Sequence, residues 1–337
     1  MENRFLSRVF SSAARIPVPI STSPGLPLTG ARVVDVLSNP QAQVDTQFAL
    51  HRRFDTPVLL SAMDLSAEAE AFGSEVGFSD DEIPRVVRPI VESEADVRRL
   101  AIPTPGDKRT AVHLTSVRMM RHTEPDGIVL GGMIGPFSLT SQLVGLTQLM
   151  TLCLSNPGLV EAILEKTTAF LTEYANAFVE AGADAVIMAE PVAGLVSPAD
   201  LGRFSSVNVA RIREAVETGP FRIFLHNCGA RLVHFPHVLK AGASLYHFGA
   251  PMDLPAALKQ APPDVALAGN LDPAGVFCQG TVEQVTERTS ALMAATAGHR
   301  NFVPSSGCDL PPGTPLANLD AFYAAVRAVR EEACLTR

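Results

Sequence analysis

The chain has 337 residues, 47% hydrophobic and 18% charged, the composition of a globular protein with a large core rather than a disordered one. Lys and Arg number 27 against 35 Asp and Glu, a formal charge of −8, and there is no Trp. That balance gives neither a clustered basic surface for phosphates nor aromatic platforms for single strands, so no nucleic-acid partner is expected.

Residues 1–15 carry Glu2, Arg4, Arg8 and Arg15 and lack the apolar run of a secretory signal. They read as a short N-terminal extension with an amphipathic helix over 4–14. An organellar transit peptide is the less favoured reading of the same Arg and Ser content. The longest apolar run, 128–137, is too short and glycine-rich to span a bilayer. A cytoplasmic setting without a membrane partner follows. In a reducing compartment, cysteines serve metal binding or chemistry more often than disulfides. The five here are 153, 228, 278, 308 and 334.

Residues 57–61 and 128–133 read as strands. The charged, proline-marked stretch 77–126 between them reads as an insertion with small helices of its own. From 157 onward the pattern is regular. A helix over 157–180 places Ile163, Thr167, Phe170, Tyr174 and Phe178 on one face. Strands are expected at 185–189, 221–225, 244–248, 265–268 and 301–304. Helices alternate with them at 197–216, 229–241, 254–260, 281–297 and 314–332. Ser197 and Thr314 stand as caps, each followed by proline, and Leu316, Leu319, Phe322, Val326 and Val329 form the last apolar stripe. Repeated βα units predict a parallel sheet. Eight units closed as a barrel need about 250 residues. The expected fold is therefore α/β, a single (β/α)8 TIM barrel over 1–337, with N-terminal helices and an insertion in its first half. A doubly wound open sheet competes, but no G-x-G-x-x-G follows a strand.

In such a barrel the strand ends face one mouth. Those ends carry Glu190, then His226 and Cys228, then His247, Asn270 and Cys308. His226-x-Cys228 with Cys308 offers three zinc ligands and an open fourth position, the arrangement of a catalytic site. Spacing alone leaves a second reading, in which the cysteines are small buried hydrophobes. Cys153, Cys278 and Cys334 look inert, and His51, His113, His122, His234, His237 and His299 lack partners at ligand spacing. An acidic group, Asp64, Glu68 and Glu70, follows the first strand; Asp64 or Glu68 points into the mouth, or the group begins a solvated helix. Glu190 ends a buried strand and needs a partner there.

Five segments carry a family resemblance: E-A-E-A-F-G (68–73), E-P-V-A-G-L-V-S-P (190–198), H-N-C-G (226–229), G-N-L-D-P (269–273) and G-C-D-L-P-P-G-T-P-L-A-N-L (307–319). Over about residues 30–330 the chain resembles the uroporphyrinogen decarboxylase superfamily, most of all its methylcobamide:coenzyme M methyltransferase branch. The resemblance implies zinc on His226, Cys228 and Cys308, a thiol bound to that zinc as thiolate, and attack on the methyl group of a methylcobamide. Glu190 would be a fourth ligand or would orient His226. Asp64 matches the decarboxylases' catalytic aspartate and joins Glu190 as a candidate catalytic residue. Glu68, His247 and Asn270 are expected to line the substrate cavity, although His247 stands where relatives usually show aspartate.

The decarboxylases' arginine-bearing R-Q-A-G-R-Y-like segment has no counterpart in 16–25. No D-x-H-x-x-G cobalt-binding segment occurs, so the corrinoid would come on a separate protein or free. The expected acceptor is a small thiol, with coenzyme M as the family default and another thiol or a folate left open. A metal-free lyase and a non-catalytic zinc or corrinoid accessory protein are the alternatives. A homodimer is compatible with all of these.

Overall fold

Seven apolar runs become the strands of one sheet: β1 (Val58–Leu60), β2 (Ile128–Ile134), β3 (Ala185–Ala189), β4 (Arg222–Asn227), β5 (Leu245–Phe248), β6 (Ala266–Leu271) and β7 (Phe302–Ser306). They pair in chain order, every neighbour parallel. A doubly wound sheet would reverse its strand order part-way, so this curled, unreversed order belongs to the barrel architecture. The computed structural model describes residues 2–12 and 14–335, with side chains to residue 329. The side chain of Cys334 therefore lies outside the described residues.

Both faces of the sheet are buried, which is why the strands read as unbroken apolar runs. Ile187, Phe224, Leu245, Ala268 and Val303 fill the barrel interior. The alternate residues, such as Val186, Met188, Ile223 and Leu225, pack outward against the helices. Gly131 in β2 makes one such contact close. A Cβ there would lie 2.7 Å from the Phe178 ring of the helix Pro157–Glu180.

The N-terminal helix Arg4–Ser11 closes the end of the barrel opposite the chemistry. Asn3 caps it by accepting from the Leu6 amide, and its Nδ2 donates to the carbonyls of Asp184 and Pro220, just ahead of β3 and β4. Phe5 enters the barrel with its ring 5.5 Å from that of Phe224. The opposite end, where the strands finish, stays free for a site.

The barrel expected from the sequence is present, built on the seven strands that its pattern placed. Among the described residues β1 and β7 do not pair, and an extended segment over 17–22 fills the seam. Pro17 and Pro19 lack the N–H a ladder needs, so the segment uses fewer and mixed bonds. Val18 N donates to Pro304 O at 3.0 Å. On the other side Gln47 bridges, its Nε2 donating to Ser21 O and its Oε1 accepting from Leu60 N.

The insertion holds a two-stranded antiparallel ribbon (Val76–Gly77 with Arg85–Val86), a short helix Glu94–Arg99 and the crossover helix Thr110–Thr123. Two expected helices are less regular than their patterns. The 197–216 stretch contains a π-helical turn, Leu201–Ser206, and 229–241 breaks into short turns around Pro236. The last helix, Leu316–Leu335, starts two residues late, with Leu319, Phe322 and Val326 buried as expected. No single helix among the described residues is long and apolar enough to cross a membrane.

Candidate metal centre

The ends of β4 and β7 bring three soft or borderline donors together. One ligand atom each of His226, Cys228 and Cys308 lies within 4.8 Å of the other two. Cys308 Sγ is 3.5 Å from His226 Nε2. Zinc bonds of about 2.0–2.3 Å at tetrahedral angles put neighbouring ligand atoms about 3.5–3.8 Å apart, so the donor set fits a tetrahedral zinc ion with one position left over. His226 is buried and the two cysteines are half-buried. The hydrogen bond between the thiols pulls Cys228 down to about 7 and, with burial, pushes Cys308 up. The lowered Cys228 thiol gives up its proton more readily, which is what binding a metal requires.

The cluster forms part of the wall of a cavity of about 260 Å³. Met63, Leu65, Ala189 and Pro191 make its walls largely apolar, and Ile83, Pro84 and Arg85 of the ribbon border it. That volume is at the small end for ligand sites. Asp309 also lines it. Its Oδ1 accepts from Thr22 N at 2.9 Å, and its Oδ2 is buried without a hydrogen-bond partner among the described residues. Burial raises its carboxyl to about 6.

Glu190 lies fully buried at the end of β3, outside the three-residue ligand set. Its Oε1 accepts from Phe137 N, and its Oε2 from both Ser138 N and Ser138 Oγ, at 2.7–2.9 Å. These donors open the helix Pro136–Val144, a favourable place for a carboxylate. Gly135 makes room for it, since a Cβ there would fall 2.3 Å from Glu190 Cγ. Burial still raises the acid to about 7 against those bonds.

The partner that orients His226 is another histidine. His226 Nδ1 lies 2.7 Å from His247 Nδ1, and the two residues are register partners on β4 and β5. His247 Nε2 in turn meets Ser305 Oγ at 2.8 Å. Burial, then the neighbouring His226, holds His247 well below the usual imidazole value.

Three residues expected at the cavity wall do other work. His247 sits behind His226. Asn270 donates from Nδ2 to the carbonyls of Gly249 and Met252 and fixes the turn after β5. Glu68 is buried and braces the end of β2, accepting from Ile134 N at 2.9 Å. Asp64 is also drawn away from the cavity. It forms a buried ion pair with Arg109 and accepts from the amide and hydroxyl of Ser66. Arg109 comes from the irregular insertion, where no spacing pointed to it. Asp309 stood next to a proposed ligand and could have been found from that position.

The carboxyl of Glu68 is pushed up to about 7 by burial, with the Ile134 N–H pulling the other way. Its folded value exceeds its unfolded one, so the folded chain holds the extra proton between them. The associated stability is full below about 4.5 and is lost as pH rises through about 7. Glu68→Gln keeps the acceptor for Ile134 and removes the charge. It should be more favourable at about pH 8 than at about pH 5 by on the order of 1–3 kcal/mol, read from urea denaturation. Equal changes at both pH values would refute this.

The sequence profile of the uroporphyrinogen decarboxylase (URO-D) family matches residues 25–329. A uroporphyrinogen decarboxylase of Anaeromyxobacter sp. is 30% identical, covering 82% of this chain and 81% of its own length. A methylcobamide:CoM methyltransferase of Methanosarcina acetivorans is 28% identical, with 76% and 75% covered. Among solved structures, a methyltransferase from Methanosarcina mazei superposes with a TM-score of 0.87 at 24% identity, covering 97% of this chain and 98% of that one, which supports the shared fold.

Proposed function

The chain belongs to the uroporphyrinogen decarboxylase family, and within it we propose that it is a zinc-dependent methyltransferase that moves a methyl group from a corrinoid to a small thiol. The observation that carries this reading is the His226, Cys228 and Cys308 cluster at the wall of a small cavity. Zinc bound there would lower the proton affinity of an acceptor thiol and hold its sulfur at the open position. His226, Cys228 and Cys308 would hold the metal, and two cysteine ligands would keep an acceptor sulfur there electron-rich and nucleophilic. Met63, Leu65 and Pro191 exclude water from the thiol's carbon chain. The methyl donor reaches the cavity from the open end of the barrel, on a separate corrinoid protein or as free methylcobalamin. Glu190 holds the start of the helix Pro136–Val144 in place beside β3 and so shapes the cavity's back wall.

Two features favour methyl transfer over the decarboxylation that names the family. Asp64, the residue aligned with the decarboxylases' catalytic aspartate, is committed to Arg109 and Ser66. A cavity of about 260 Å³ also suits a small acceptor better than a tetrapyrrole. The test is incubation of the zinc-loaded chain with methylcobalamin and a panel of small thiols, with and without a methylated corrinoid protein, following the cobalt spectrum. Demethylation that depends on one class of thiol is expected. No turnover with any thiol, together with release of carbon dioxide from uroporphyrinogen, would overturn the reading.

A further inference from the structure

We infer that His247 and Ser305 act as positioning residues, fixing the tautomer of His226 through a hydrogen-bond relay that ends on a backbone carbonyl. The relay is read from its far end. Ser305 Oγ lies 2.6 Å from Val18 O, and a carbonyl can only accept, so the single serine proton is spent there. At its contact with His247 Nε2, 2.8 Å away, Ser305 Oγ must therefore accept, and His247 carries its proton on Nε2. A neutral His247 then has a bare Nδ1. At 2.7 Å from it, His226 Nδ1 must be the donor. The lone pair of His226 is left on Nε2, the atom that faces Cys308 Sγ. His247 and Ser305 are buried behind His226, and His226 is itself 2% exposed, which leaves little room for water to replace these contacts.

The relay also explains the extended N-terminal segment. Val18 is held against β7 by the hydrogen bond that its N–H donates to the Pro304 carbonyl, so the stretch that fills the barrel seam also presents the carbonyl on which the relay ends. An imidazole free in water prefers its proton on Nε2, the wrong nitrogen for this site. Removing the relay would require a tautomer change each time a metal bound. Loss of such an outer partner lowers metal affinity by about 10–100-fold in comparable sites.

The consequence for zinc rests on the proposed function, but the tautomer does not, and the tests separate them. Nitrogen NMR of histidine-labelled, zinc-free protein is expected to find His226 protonated at Nδ1 and His247 at Nε2. His226 protonated at Nε2 would overturn the inference whatever the protein binds. For the second test, zinc affinity is measured by competition with a chromogenic chelator. His247→Ala should lose about 10–100-fold. His247→Asn should stay close to wild type, because its Oδ1 can stand where the accepting Nδ1 stood. A packing role alone would make the two variants alike, and that result would also overturn the inference. Ser305→Ala, a small change at a site that keeps its strand, should leave His247 as a mixture of tautomers in the same spectra, and a single unchanged tautomer would count against the relay. Wild-type protein that binds no zinc would refute the proposed function and leave the tautomer result standing.

Discussion

Cys308→Ala is expected to abolish thiol-dependent methyl transfer and to lower zinc affinity by more than the roughly 100-fold attached to an outer partner. The reason is geometric. Cys308 sits on the turn after β7, whereas His226 and Cys228 share the end of β4, so Cys308 alone closes the donor set from the far side. Without it two ligands remain, and two do not define a tetrahedral site. The thiol is half-buried and makes no backbone hydrogen bond among the described residues, so the fold should survive with little change in its denaturation midpoint. A variant that keeps both its zinc and its turnover would remove Cys308 from the site.

The second large effect is on stability. Arg109→Met should destabilise the chain by about 3–5 kcal/mol, because it leaves a buried carboxylate without its counter-charge. The Asp64 side chain is fully buried and that of Arg109 is 9% exposed. Arg109 also donates to Glu70 at 2.7 Å and to Ser66 Oγ at 2.9 Å, so one side chain organises the whole turn after β1. Adding Asp64→Asn to the same chain should recover part of the loss, since the orphaned charge is then gone. Denaturant midpoints of the wild type, both single variants and the double variant test this. A single Arg109→Met variant within about 1 kcal/mol of wild type would show that the pair is not holding the turn. The same variants separate the two activities of the family, because an Asp64 used in chemistry would cost turnover in Asp64→Asn beyond its effect on stability.

The barrel was legible because its strands are buried on both faces. Residues 185–189 form an unbroken apolar run that suits a central parallel strand, and helices capped by Ser197 or Thr281 mark the beat along the chain. The segment that fills the seam was not legible, because Pro17 and Pro19 hide it from any strand pattern and because its bonds to the sheet run partly through Gln47 and Ser306 side chains. The three donor residues could be picked from the strand ends, since a parallel barrel turns all such ends toward one mouth. What failed was direction. A residue at a strand end can face the cavity, a neighbour on the next strand or the loop behind it, and residue type does not say which. His247 turned to its register partner His226, Asn270 to the turn at 249–252, and Glu68 to the amide of Ile134. Asp64 was claimed by Arg109, which comes from an insertion with no regular pattern to place it.

The central claim is that His226, Cys228 and Cys308 hold a zinc ion on which the proposed chemistry depends. Metal content per chain, measured on protein purified from zinc-sufficient medium and again after chelation and reloading, tests it most directly. The account predicts about one zinc per chain in the wild type, restored on reloading, and none in Cys308→Ala under the same conditions. Wild-type protein that purifies without metal and takes up no added zinc would contradict it.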